Sequence, residues 1–377
     1  MLVVVASRPL IELALLFLKL GATAVGGPAA HIAMMEAEFV RRRAWLTREE
    51  FLDLVGAANL IPGPNSTEVA IHIGRLRKGL PGLVVAGTAF ILPAFVIVTL
   101  VARAYVAYGT LPDVRRAFYG MKPVIIAIVL LALVSLARTA IKNVRLAVLG
   151  VAAALLAFFG VNEVALLVAS GAAALLASSA RQSRAPAALA LLGSGVASAA
   201  PAFSLGLLFL FFLKVGAILF GSGYVLLAFL RTDLVEHWHW LTDSQLLDAV
   251  AIGQITPGPV FTTATFIGYV LAGGRGAALA TIGIFLPAFV FVALSAPFVP
   301  RLRRSARAGA FLDGVNVASL ALMGVVTLRL GQVALVDVAT WAIGALSFLL
   351  LVRSRVNSLW LLGAFGALGW WLAPSGL

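Results

Sequence analysis

The sequence predicts an all-α integral membrane protein made of two inverted-topology repeats, and three observations carry that prediction. Of 377 residues 62% are hydrophobic and 11% charged, with a mean hydropathy of +1.06, and apolar runs recur from end to end. A soluble core cannot hide that much apolar surface. The chain also repeats itself at a fixed offset. Its cations fall in short clusters between the apolar runs, which reads as a membrane topology signal and not as a nucleic-acid-binding face, despite a formal net charge of +13. With no cysteine and four scattered histidines, neither disulfides nor a metal centre is expected. No cofactor is called for.

The repeat fixes the domain organisation. "FLKLGA" at Phe17 to Ala22 returns as "FLKVGA" at Phe212, "WLT" at Trp45 returns at Trp240, Asp53 matches Asp248 and "PGP" runs from Pro62 and again from Pro257, all at an offset of 195. From Phe17 to Pro64, 17 of 48 aligned positions are identical. After a one-residue gap the match continues at 194, pairing "LPAF" at Leu92 with Leu286, and Gly120 with Gly314. Taken alone, "IELALLFLKLGATA" has the look of a secretory leader with a small-residue cleavage site. Its return in the second half makes it part of the fold. The first repeat is expected over 1–178 and the second over 202–377, joined by a cytoplasmic linker at 179–201 whose Ser, Arg, Gly and Pro content breaks helices.

Each repeat divides into the same series of segments. The first begins with an apolar span over 10–40, interrupted by "GGP" at Gly26 to Pro28, which breaks the helix or lets it pack closely. A segment around PGP follows at 50–74, then spans near 82–102, 118–137, 147–160 and 162–178. The second repeat runs 203–230, 244–270 around its PGP, 277–298, 311–328, 335–352 and 358–372.

The PGP segments are too short in each arm to cross singly. Glu50 to Ile61 and Pro64 to Gly74 are each about 17 Å long as helices, just over half of a roughly 30 Å hydrocarbon core. Two half-helices meeting near the midplane fit, as does a surface helix followed by one proline-kinked span. Cation counting favours the first. If both PGP segments enter and return, one side collects 18 cations, among them Arg41, Arg42, Arg43, Arg77, Lys142 and Arg353, against 8 that include Arg115, Lys122, Arg231 and Arg329. If both cross fully, the ratio falls to about 15 against 11. The expectation is therefore about ten transmembrane helices plus two re-entrant PGP helical hairpins, five crossings per repeat, both termini outside, and opposite orientation of the repeats.

Irregular backbone at that depth must line protein or a water-filled cavity. Pro64 and Pro259 suit the first turn of a returning helix, with Gly63 and Gly258 allowing close approach of a ligand. The first amides of those helices, at Asn65, Ser66 and Thr67 and at Val260, Phe261 and Thr262, would present the positive end of the dipole. Hydroxyls at Ser66, Thr67, Thr262 and Thr263 add donors. This reads as an anion site made twice, against the simpler reading that PGP kinks a span and the hydroxyls bond back to their own helix.

Lys19 and Lys214 are equivalent residues inside the first span of each repeat, where an ionised amine needs a partner. Together they match a dianion; alternatively each reaches an interface or pairs with a carboxylate. Asp53 and Asp248 match too, near the interface. Glu68 and His72 share a helix face and suit either a proton relay or a plain buried hydrogen-bonded pair. His31 and Glu36, just past GGP, are weaker proton-coupling candidates.

The stretch from "FLKLGATAVGGPAAHIAMM" through "RRRAWLT" to "NLIPGPNSTE", with its echo "FLKVGAILFGSG", "WLTDSQLLDAV" and "GQITPGPVFTTA", resembles the chromate ion transporter family in its two-domain form over nearly the whole chain. The resemblance implies a multi-pass inner-membrane exporter of chromate, a tetrahedral dianion similar to sulfate, associated with chromate resistance. It also implies that Gln254 stands where the family carries Gln before PGP, with Asn59 at the matching place in the first repeat. There the first repeat departs from the family's pattern, with Asn59, Leu60 and Ile61 before the turn and Asn65, Ser66, Thr67 and Glu68 after it. Expected partners are therefore a chromate or sulfate-like dianion and the lipid bilayer, with no nucleic acid, and a homodimer left open. The competing readings are a transporter of sulfate or another anion, and a membrane enzyme, for which no nucleophile or metal cluster stands out.

Overall fold

A computed structural model of the chain describes residues 2–24, 27–179, 202–220, 225–295, 305–354 and 356–374. Among these residues every regular element is helical. The first repeat comprises α1 (Leu2–Thr23), α2 (Gly27–Glu36) prolonged by a π-helical turn (Ala37–Arg42), α3 (Arg48–Ala58), α4 (Asn65–Tyr108), α5 (Pro112–Ala140), α6 (Val144–Phe158) and α7 (Glu163–Ser179). The second comprises α8 (Leu205–Ile218), α9 (Leu226–Phe229) with a π-helical turn (Leu230–His237), α10 (Asp243–Ile255), a 3₁₀ turn (Val260–Thr262), α11 (Thr263–Ser295), α12 (Ala306–Ala334), α13 (Val338–Arg353) and α14 (Ser358–Leu372).

Local chemistry explains the repeated "WLT". Thr47 caps α3 by accepting from the Glu50 amide at 3.1 Å while Glu50 accepts from the Thr47 amide at 2.8 Å. Thr242 and Gln245 make the same box at the start of α10, at 3.2 and 3.0 Å. Each box satisfies two of the amides a helix start leaves unpaired. The residue before each "WLT" tryptophan, Ala44 or His239, turns the chain with φ near 50°.

The longest helices are folded back on themselves. Straightened, α4 would be about 66 Å long, twice a bilayer core. It breaks at Lys78 and Gly79, where Gly79 takes φ +63°, and the two arms run antiparallel. A Cβ on Gly74 would overlap the Gly82 carbonyl, and one on Gly87 would lie 2.8 Å from Ile71. In α11 the break falls on the equivalent pair, Ala272 and Gly273. There Thr265 and Thr281 share a hydroxyl hydrogen bond of 2.7 Å, although about 24 Å of helix would separate them if it were straight.

The interrupted spans at 10–40 and 203–230 also double back, which corrects the expected five crossings per repeat. Arg43 pairs with Glu12 at 2.5 Å, and the rings of Phe17 and Phe39 stack at 5.2 Å, so α1 lies antiparallel to α2. In the second repeat Lys214 pairs with Asp233 at 2.5 Å and Phe211 meets Trp238 at 5.3 Å. Hydropathy cannot separate one long span from two apolar arms packed on each other; the contacts across the turn do. Glu12, in the N-terminal half of α1, therefore lies at the same end as Arg41, Arg42 and Arg43.

The equivalent helices α5 and α12 run antiparallel to each other. Tyr119, near the start of α5, donates to Asp337 just past α12 at 2.5 Å, and Lys142, just past α5, pairs with Asp313 near the start of α12 at 2.7 Å. Each then packs on the last helix of the other repeat. A Cβ on Gly120 would overlap the Phe365 carbonyl of α14, and one on Gly314 the Ser170 carbonyl of α7.

By length and composition α5 and α12, and the folded stretches 65–108 and 260–295, are apolar enough to cross a membrane, with α6, α7, α8, α13 and α14 shorter and apolar. Trp341, Trp360 and Trp371 are exposed on the outside of this bundle. The chain is a multi-pass membrane protein. The expected linker lies, beyond Ser179, outside the described residues. Its flanks sit at opposite ends of α12: Ser178 lines a pocket with Ala310 and Asp313, whereas Phe203 meets Trp240 edge to face beside the turn whose Glu236 pairs with Arg329.

The close crossing of α5 and α14 carries a prediction. Gly120→Leu forces the two backbones apart and should cost about 1–3 kcal/mol, whereas Gly363→Leu, with open space around it, should leave the thermal unfolding midpoint in detergent unchanged.

Candidate functional site

The two PGP turns meet the ends of α1 and α8, each in the opposite repeat. The Gly63 amide of the first PGP donates to the Leu219 carbonyl at the end of α8, at 2.8 Å, and the Gly258 amide of the second donates to the Ala24 carbonyl after α1, also at 2.8 Å. These are the same contact made twice, each hairpin of one repeat pairing with the broken first helix of the other. Both glycines have positive φ, 142° and 98°. Gly258 is further constrained by contact: a Cβ there would stand 2.6 Å from the Ala94 Cβ. The glycine amides thus hold the two repeats together and do not face a ligand.

Beside this junction lies a cavity of about 510 Å³ into which both PGP turns project. Pro64, Asn65 and Ser66 line it from the first repeat, and Pro259, Val260 and Phe261 from the second, with Asn59 at the end of α3 and Lys142, Asp313, Asn316 and Ser319 on the facing helices. The structure therefore brings together the two motifs that the sequence separates by 195 positions. Asn59 and Asn65 are hydrogen-bonded to each other at 2.6 Å. The Thr67 and Thr262 amides bond back to the Pro64 and Pro259 carbonyls, at 2.8 and 3.0 Å.

The hydroxyls behave differently from the expectation in the second repeat. Thr262 donates to the Pro259 carbonyl at 2.7 Å and Thr263 to the Val260 carbonyl at 2.9 Å, so both hydrogens are spent on their own helix start. In the first repeat Ser66 lies 3.2 Å from His31 Nδ1, while His31 Nε2 is 3.2 Å from the Ala24 carbonyl that also receives the Gly258 amide. Since a carbonyl only accepts, Nε2 carries hydrogen, and Nδ1 of a neutral ring accepts from Ser66. His31 thereby links the cavity wall to the junction between repeats. Its counterpart in the second repeat is Leu226.

Glu68 and His72 lie behind the first turn. Glu68 is fully buried, its carboxylate against Gly63, and neither of its oxygens has a hydrogen-bond partner among the described residues. His72 Nε2 and the Thr67 hydroxyl are likewise buried without a partner. A plain Glu68–His72 hydrogen-bonded pair, one of the two sequence readings, is thus not formed. Gln254 is buried in α10, away from the cavity wall.

Lys19 and Lys214 do not line the cavity. Lys214 is held by Asp233, and Lys19 faces a separate groove with Glu38 and Arg42, the equivalent place in the first repeat. Glu36 pairs with Arg41 at 3.3 Å at the cationic end. The cation in the cavity is Lys142, paired with Asp313. Sequence reasoning counted Lys142 only as a topology signal, and nothing in its spacing from PGP pointed to the site, since α5 and α12 bring it there from far along the chain. Asp313 and Asn316 were missed for the same reason.

Helix ends that meet around one cavity, with asparagines, a serine and the Lys142–Asp313 pair set among apolar side chains, in a chain this apolar, define a multi-pass membrane protein built around a small internal compartment. The chain belongs to the chromate transporter family: the family's sequence profile, described as "Chromate transporter", matches residues 11–176 and again 206–370. It is similar to the chromate transport protein of Cupriavidus metallidurans, 32% identical over 353 residues that cover 91% of this chain and 88% of the relative. It is similar also to the chromate transport protein of Pseudomonas aeruginosa, 32% identical over 385 residues, 95% of this chain and 91% of the relative. No solved structure matches the chain.

The junction is testable. Gly258→Ala meets both backbone strain and the Ala94 side chain and should lower stability by about 1–3 kcal/mol. Gly79→Ala, which has positive φ but open space, should cost only about 1 kcal/mol. Denaturation in detergent micelles separates the two.

Proposed function

We propose that the protein exports chromate, or a sulfate-like tetrahedral dianion, from the cytoplasm across the inner membrane by alternating access and so confers chromate resistance. One observation carries this reading: both PGP turns enter a single cavity that also holds a lysine. Membership of the family, and the names of the relatives, support the substrate. The antiparallel pairing of α5 with α12 and the reciprocal amide contacts support an inverted-topology relation between the repeats. In this reading each repeat contributes two hairpins that enter and return, and four helices that cross. The end bearing Arg41 to Arg43, Arg77 and Lys142 is cytoplasmic by the excess of cations.

The anion rests among Asn59, Asn65, Ser66 and the prolines Pro64 and Pro259, near the starts of two helices, with Lys142 as countercharge in place of Lys19 and Lys214. Lys142 is already paired with Asp313, so the anion exchanges with a carboxylate and does not meet a bare ammonium. With the interior negative, outward movement of a dianion gains about 4.6 kcal/mol per 100 mV, roughly three decades of concentration ratio. Proton exchange is not required for export. Glu68, with His72 and His31 nearby, is the residue type that takes up and releases protons in transporters, and its buried, unpartnered carboxylate makes it the coupling group in our reading.

Tracer flux in inside-out vesicles or proteoliposomes tests this. Uptake should be saturable, driven by an interior-positive potential and competed by sulfate; absence of any such flux in a folded preparation overturns the proposal. Lys142→Gln should lower the flux about tenfold or more, the loss of one charged partner of the anion. Glu68→Gln should remove the dependence of flux on a pH gradient while leaving the potential-driven component, and an unchanged pH-gradient response would rule out Glu68 as the coupling group.

A further inference from the structure

The two repeats are not docked alike, and the difference locates a gate. Helices α3 and α10 are equivalent, yet α10 packs on α5, α12 and α14 of the bundle, while α3 rests chiefly on α2 and α4 of its own repeat. Burial of matching side chains records this: Leu247 is fully buried where Leu52 is 54% exposed, and Asp248 is 6% exposed where Asp53 is exposed. One hairpin is closed against the bundle and its twin stands away from it.

Two compartments mirror that difference. The central cavity is lined by Thr139, Ala140, Asp313 and Asn316, and their equivalents Val333, Ala334, Tyr119 and Lys122 line a second compartment of about 680 Å³ at the opposite end. The central cavity reaches both PGP turns. The second reaches neither and stops at Asp248. There the Asp248 carboxylate accepts from the Tyr105 hydroxyl at 2.8 Å and stands 3.3 Å from the Lys122 ammonium, which also donates to Ser244 at 2.6 Å. In the first repeat the position equivalent to Lys122 is Asn316, which carries no charge.

We propose that Lys122, Tyr105 and Asp248 form the outer gate of the anion path, with the Asp248 carboxylate holding the place at Lys122 that the departing oxyanion takes when α10 swings away. A carboxylate held by an ammonium and a phenol in a polar compartment has the chemistry of a bound oxyanion. It is tethered to the moving hairpin, so the site is filled when the outside is closed and vacant when it is open. The structure is then the cytoplasm-open state. This inference rests on the alternating-access reading and on the orientation proposed above.

The chain's lack of cysteine makes the test direct. Val260→Cys, at the second PGP turn, reports the central cavity and Val336→Cys the rim of the outer compartment, each probed with a membrane-impermeant maleimide on intact cells and on inside-out vesicles. Val336→Cys should label from outside, and Val260→Cys from the cytoplasmic face only. Adding Asp248→Asn should raise outside labelling of Val260→Cys by about tenfold or more, and external sulfate should slow that labelling. Lys122→Met should do the same without the protection by sulfate, and the charge-swapped pair K122D/D248K should return labelling toward the parent level. Outside labelling unchanged by both single substitutions, in protein that still labels from the cytoplasmic face, overturns the gate. Labelling of Val336→Cys from the cytoplasmic face alone would refute the orientation itself, and with it an outer gate.

Discussion

The constraint on which the rest of the structure depends is the need to pair backbone amides and carbonyls where helices break inside an apolar environment. A broken helix exposes carbonyls at one end and amides at the next, and no water is present in hydrocarbon to satisfy them. Here each break answers another: the amide of the PGP glycine in one repeat meets the last carbonyl of the first helix in the other. Each bond runs from one repeat to the other, so the same two hydrogen bonds that complete the backbone also hold the two halves in register. The cavity follows, because the helix starts just beyond the glycines are left facing inward.

On this symmetric frame the charged groups are placed asymmetrically. His31, Glu68, His72 and Lys142 belong to the first repeat alone, and their counterparts are apolar or uncharged. The second repeat contributes tight, self-satisfied hydroxyls at Thr262 and Thr263, and it carries the docked hairpin. A transporter whose halves were chemically identical would have no reason to prefer one direction of coupling. In the proposed reading the first repeat carries the coupling groups and the second the gate, which supplies that difference.

Much of this was legible from residues near one another in the chain. The capping boxes behind "WLT", the helix-breaking PGP and the equivalent turns at Gly79 and Gly273 all act through local backbone chemistry, and local chemistry is written in sequence. The interrupted span at 10–40 was read as one span because an apolar hairpin and an apolar span have the same composition; the contacts of Glu12 with Arg43 and of Phe17 with Phe39 distinguish them. Lys19 and Lys214 attracted attention as cations inside apolar spans, but Asp233, which pairs with Lys214, arrives from a π-helical turn that hydropathy does not reveal.

The sequence by itself determined that this is a helical membrane protein of two related halves, and that PGP marks breaks between helices, because apolar composition and proline geometry are properties of the chain alone. Only the tertiary structure decided what those breaks do. It turned the glycine amides toward the opposite repeat, set Lys142 in place of Lys19 and Lys214 beside both turns, and left α3 apart from the bundle while α10 is docked. Each of these depends on groups more than a hundred residues apart brought within a few ångströms, and such distances are set by packing between helices, not by the order of residues along any one of them.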